Sequence, residues 1–81
     1  MSSLREALDD VETEFLHART RFPPFVSYHV GIAVIREEYL ELEREIFWGP
    51  RDLENRRRIH NEARQLAAMA VSLLVDDEGF P

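Results

Sequence analysis

The chain has 81 residues, enough for one domain, and a domain of this size buries only about 60% of the surface its unfolded chain would expose, so self-association would help its stability. It contains no cysteine, which excludes disulfides and thiolate metal sites, and no apolar run near the length of a membrane span. A formal charge of −6 disfavours a nucleic-acid partner, while a small anionic ligand remains open if a cation bridges it to carboxylates. Met1-Ser2-Ser3-Leu4-Arg5-Glu6 lacks a basic region followed by an apolar stretch, so no secretory signal is expected and a cytoplasmic location is the default.

The first predicted helix runs from about Leu4 to Arg19, with Leu4, Leu8, Val11, Phe15 and Ala18 on one narrow apolar stripe. Pro23-Pro24 breaks it, because two adjacent prolines cannot continue a helix. Phe22 and Phe25 in this connector are expected to plug the end of the core. The second helix, about 28–48, starts at Ser27 as N-cap and ends at Gly49-Pro50. The third, about 52–77, starts at Asp52 as N-cap, and Glu78 to Pro81 form a terminating tail. The short Gly-Pro connection makes the second and third helices antiparallel neighbours. The expected fold class is all-α: an antiparallel helical hairpin plus an N-terminal helix.

At roughly 100° per residue, Ile32, Ile35, Tyr39, Leu42 and Ile46 share one face of the second helix, the expected core face. Glu38, Glu41 and Glu45 follow one border of it, with Val34. On the third helix Ile59, Ala63, Leu66, Ala70, Leu73 and Leu74 form the expected core face, bordered by Glu62, Gln65, Met69, Asp76 and Arg58. Ala63, Ala67, Ala68 and Ala70 would let another helix approach closely. In an antiparallel pair, Glu38 and Glu41 come level with roughly Glu62 and Ile59, so Glu38, Glu41 and Glu62 could face one gap. Carboxylates three and four residues apart repel, and a bound cation would remove that repulsion. All-oxygen ligation suits magnesium or manganese. The plainer alternative is a solvated acidic flank beside a packed stripe.

Two stretches carry a resemblance. Phe22-Pro23-Pro24-Phe25-Val26-Ser27-Tyr28-His29-Val30-Gly31-Ile32-Ala33-Val34-Ile35-Arg36-Glu37-Glu38-Tyr39-Leu40-Glu41-Leu42 and Glu62-Ala63-Arg64-Gln65-Leu66-Ala67-Ala68-Met69-Ala70 together resemble a MazG-like family of nucleotide pyrophosphohydrolases. The resemblance implies an all-helical fold in which two subunits build a four-helix core, as a homodimer or tetramer. It implies magnesium-dependent hydrolysis of nucleoside triphosphates to monophosphates and pyrophosphate. Carried over by position, the metal ligands are Glu38, Glu41 and Glu62, with Gln65 where the family pattern has Asp. Glu37 and Glu45 match further family acids, candidates to orient or deprotonate water. His29 matches a family position and is a candidate substrate contact, or a helix-start residue that caps or packs.

The chain departs from that pattern at Gln65, a weaker ligand than a carboxylate, at Val30 where many members have Glu, and at Ser72 where Arg is common. These departures keep a second function class open: a non-catalytic helical interaction module. Arg56, Arg57 and Arg58 lie early in the third helix, and Asp76 and Asp77 near its end, each against the helix dipole. Arg58 is a candidate phosphate contact, against the alternative of an exposed charge run. Tyr39, Phe47 and Trp48 could stack on a base or pack in a core or interface. No Gly-rich phosphate loop or nucleophile motif is present.

Overall fold

The structure, a computed structural model, describes residues 3–81. It is all-α, with α1 Leu4–Arg19, α2 Tyr28–Trp48, α3 Leu53–Asp76 and a short 3-10 turn, Asp77–Gly79. Helices α2 and α3 pack together, and α1 packs on α3.

Each helix start has a side-chain cap. Ser3 Oγ accepts from Glu6 N at 3.1 Å, and the Glu6 carboxylate returns the bond to Ser3 N, a reciprocal capping box. Ser27 Oγ accepts from Val30 N at 3.1 Å. Val30 has no carboxylate to reciprocate, so α2 begins with half of such a box. Asp52 Oδ1 accepts from Asn55 N at 2.7 Å and starts α3. Each such cap contributes about 1 kcal/mol.

The α2–α3 turn is set by space. Gly49 N donates to Glu45 O at 3.2 Å, and a Cβ on Gly49 would lie 2.6 Å from that same carbonyl and 2.9 Å from Asn55 Cγ. Gly49 has an ordinary negative φ, −75°, so its value here is the missing side chain. Gly31 serves the same end higher in the hairpin, where Leu73 and Phe25 close over it.

The packing corrects several expectations. On α2, the direction facing α3 carries Gly31, Glu38, Leu42 and Glu45 and lies to one side of the apolar stripe. Ile32, Tyr39 and Ile46, expected in the core, are 58%, 50% and 46% exposed. On α3, Ala63, Ala70 and Leu74 are likewise exposed, while Asn55, Ala68 and Ser72 are buried. Only the C-terminal half of α1 packs; Leu4 and Leu8 are exposed. Phe25 is half-buried, but Phe22 is exposed and does not plug the core.

Three of the five charges set against the α3 dipole, Asp76, Arg57 and Arg58, find side-chain partners. Asp76, whose side chain is 6% exposed, accepts from Arg19 Nη2 and from Phe25 N, the latter at 2.9 Å. It ties the end of α3 to α1 and to the connector. Arg57 pairs with Glu54 and Arg58 with Glu45.

A candidate metal centre on the hairpin seam

Glu38 and Glu41 stand one turn apart on α2, and Glu62 projects from α3 across the seam. One carboxylate oxygen from each lies within 4.8 Å of the other two. All three residues are half-buried. Glu38 Oε2 and Glu62 Oε2 are fully shielded from solvent, and neither has a hydrogen-bond partner. A shielded acceptor without a donor is costly, on the order of 1–3 kcal/mol and more for a charged group.

The electrostatics register that cost. Burial, then the charges of Glu41, Glu62 and Glu37, push the Glu38 carboxyl up to about 7. Burial and the neighbouring Glu41 carboxyl, with a contribution from Glu45, also raise Glu62. Both shifts have the cause expected where carboxylates converge without a counter-charge. An all-oxygen donor set with two orphaned acceptors fits a hard divalent cation, and three carboxylates leave coordination positions for water or phosphate oxygens.

An open cleft of about 830 Å³ adjoins the seam, bounded by α1, the connector, α2 and α3. Glu37, Glu38, Glu41 and Gln65 line it, with Val30, Val34 and Met69 as an apolar wall. Phe22 to Val26 and the side chains of His17, Arg19 and Arg21 contribute from the connector side. The volume lies within the range of small-molecule sites. Arg19 is committed to Asp76 and also lies over the Phe15 ring at 4.8 Å. Arg21 lies 5.7 Å from the Phe22 ring centroid and has no carboxylate partner among the described residues.

Sequence-selected residues fall into two groups. Glu37, Glu38, Glu41, Glu62 and Gln65 lie on the seam or the cleft beside it. Glu45 and Arg58 lie at the turn end of the seam, outside the carboxylate triad, and His29 lies away from it. Glu45 Oε2 accepts from Asn55 Nδ2 at 2.8 Å and from Arg58 Nε at 3.0 Å, while Glu45 O accepts from the same Asn55 Nδ2 at 3.1 Å. Glu45 and Arg58 therefore hold each other, with Asn55, at the turn end of the hairpin. His29 is exposed in the first turn of α2 and does not line the cleft.

Sequence reasoning missed Asn55 and Arg21. Asn55 sits at the third position after its cap Asp52, where a polar residue raises no suspicion. Arg21 follows α1 in a segment read as a helix-breaking connector whose phenylalanines plug the core; that it lines the same cleft as Glu38 and Glu41 depends on how the connector folds back.

No helix is long and apolar enough to cross a membrane among the described residues. No protein-family model matches the chain, and neither a curated protein nor a solved structure matches it.

Proposed function

We propose that the chain is a magnesium- or manganese-dependent pyrophosphohydrolase of nucleoside triphosphates, with Glu38, Glu41 and Glu62 as the metal ligands. The observation that carries this reading is the convergence of three carboxylates within 4.8 Å, two of them with shielded, partnerless oxygens. The MazG-like resemblance of residues 22–42 and 62–70 supports the same ligands and supplies the reaction class. A divalent ion bound there would neutralise polyphosphate charge and lower the pKa of a coordinated water.

The chain's own residues then divide the work. Glu38 and Glu41 hold their oxygens one helical turn apart on a rigid element, and Glu62 closes the set from α3. Glu37 lines the cleft beside Glu38 and is exposed, so its carboxylate can accept a proton from the attacking water. The water oxygen bonds to the α-phosphorus, the α–β bridging bond breaks, and the bridging oxygen leaves with pyrophosphate. Arg21, rather than Arg58, offers a cation to the phosphates, since Arg58 is engaged by Glu45. The apolar wall of Val30, Val34 and Met69 gives the nucleoside a surface that water wets poorly.

Gln65, standing where the family pattern has a fourth acidic ligand, favours a second reading: a helical module that keeps the fold without turnover. Pyrophosphate release from a panel of nucleoside triphosphates, with millimolar magnesium or manganese, separates the two. Turnover is expected from the wild type, and Glu38→Gln or Glu41→Gln should lower it by more than about 100-fold. Absence of pyrophosphate from every nucleotide, with no thermal shift on adding either metal, would leave the module.

A further inference from the structure

Three large apolar side chains stand clear of the protein at the α2–α3 turn. Phe47 is 71% exposed, Trp48 81% and Leu53 62%. Phe47 and Trp48 close α2 and Leu53 opens α3, with only Gly49 to Asp52 between them. The turn lies at one end of the antiparallel pair, in a body whose longest extent is 44 Å. An exposed apolar cluster of this kind marks a contact surface.

The charge around this tip is opposite to that of the rest of the chain. Residues 44–58 hold five arginines, Arg44, Arg51, Arg56, Arg57 and Arg58, against three carboxylates, Glu45, Asp52 and Glu54. All other residues together hold five arginines against thirteen carboxylates. The three carboxylates near the tip are engaged there, Glu45 by Arg58, Glu54 by Arg57 and Asp52 by the Asn55 N–H. Arg44, Arg51 and Arg56 are exposed and have no carboxylate partner among the described residues. Arg44 stands one helical turn before Trp48, on the same face of α2. A chain of net charge −6 therefore sets free guanidinium groups around its exposed aromatics, and guanidinium pairs with phosphate oxygens through parallel N–H donors.

The shape of the tip selects the source of that phosphate. Phe47 and Trp48 line neither the cleft beside the seam nor the shallow hollow bordered by Arg51, Leu53 and Arg56. Single-stranded nucleic acid is held in a basic groove with stacking platforms inside it. Side chains that project from a convex end suit a medium that deforms around them. The headgroup layer of a bilayer is such a medium, where aromatic rings rest at the interface and arginine meets lipid phosphate. Screening limits the repulsion from the acidic body to about 8 Å at physiological salt, and an end-on approach keeps most of that body farther off.

We infer that the hairpin tip is a peripheral membrane anchor. Phe47, Trp48 and Leu53 enter the headgroup layer of an anionic bilayer, and Arg44, Arg51 and Arg56 pair with its phosphates. The contact is interfacial, since no described helix is long and apolar enough to cross a membrane. Such an anchor requires neither bound metal nor turnover.

Trp48 is the chain's one tryptophan, so its fluorescence reports on the tip alone. Vesicles of phosphatidylcholine with about one third phosphatidylserine should shift its emission to shorter wavelength, and brominated acyl chains should quench it. Pure phosphatidylcholine vesicles should bind at least about tenfold more weakly, and salt at about 0.5 M should release the protein. Each arginine contributes about fivefold at such a surface, so Arg44→Gln, Arg51→Gln and Arg56→Gln together should weaken cosedimentation by about 100-fold. Phe47→Ser with Trp48→Ser should weaken it by more than about tenfold. Leu8→Ser, at an exposed apolar side chain beside Asp9 and Asp10, should leave it within about twofold. If the triple variant loses its helical circular dichroism, the dependence of the wild type on lipid charge and salt still decides. A Trp48 emission unmoved by anionic vesicles would overturn the inference, as would vesicle binding indifferent to the arginine substitutions. Tight binding of a single-stranded oligonucleotide or an acidic peptide in place of vesicles would also overturn it and assign the tip to that partner.

Discussion

Two glutamates on one border of α2, Glu38 and Glu45, are seven residues apart and have opposite fates. Glu45 meets Asn55 and Arg58 on α3, so its carboxylate and its carbonyl oxygen both receive donors. Glu38 meets Glu62 on α3, beside Glu41 on its own helix, and keeps a shielded oxygen with no donor. The residue type and its position on the helix are the same; what the facing helix presents differs. The turn end of the seam is a closed polar clamp, and the middle is a cluster of carboxyl groups with no donor or cation facing its shielded oxygens.

The largest expected effect on stability comes from opening the clamp. Asn55→Ala removes the donor to both Glu45 oxygens and should destabilise the fold by about 3 kcal/mol, seen as a lower urea midpoint with an unchanged m-value. Saturating the middle of the seam should act nearly as strongly in the other direction. Magnesium or manganese at a hundredfold its dissociation constant should add about 2.7 kcal/mol, a thermal shift on the order of 10 °C or more, and Glu38→Gln or Glu62→Gln should abolish it. A clamp variant that lost the metal shift as well would show that the two ends of the seam are one unit.

A third expected outcome concerns pH. The Glu38 carboxyl is raised from 4.5 to about 7, so between those values the folded protein holds a proton that the unfolded chain releases. Its contribution to stability is therefore fully present below about 4.5 and is lost as pH rises through about 7. Metal-free protein in chelator should lose stability across this window, and Glu38→Gln should flatten the decline. With metal present the dependence on this group reverses, because the ion must displace that proton. A metal-free stability that rises from pH 5 to pH 8 through Glu38 would contradict the burial seen at the seam.

The smallest expected change is at the clamp's outer edge. Arg58→Ala should cost under about 1 kcal/mol, since its side chain is 44% exposed and the pair is screened by water. Measured beside Asn55→Ala, it separates a buried donor from a surface ion pair on the same carboxylate.

Much of the fold was legible in particular residues. Ser27 and Asp52 act as the expected N-caps, and Gly49-Pro50 closes α2 into an antiparallel hairpin. The boundaries of α1 and α2 match the periodicity, and α3 gives way to a 3-10 turn at Asp77, where its end was expected. The meeting of Glu38, Glu41 and Glu62 was readable from register alone, since the length of the turn fixes which residues come level. Less legible was the side of each helix that turns inward. Ile32, Tyr39, Ile46, Ala70 and Leu74 were read as core and are exposed, because a stripe shows that something apolar should cover it without showing whether that cover is α3, α1 or another chain.

Local chemistry in the sequence determined the three helices, their caps, their breaks and the acidic level of the seam, because capping, proline geometry and helical periodicity act within a few residues. Tertiary structure alone decided that Glu45 is clamped by donors while Glu38 keeps a shielded oxygen without one, that Asp76 is buried against Arg19 and Phe25, and that a broad apolar face is left to the outside. Those outcomes depend on which side chain across the interface supplies a donor, a charge or a covering surface, and residues distant in sequence set that only once the helices have docked.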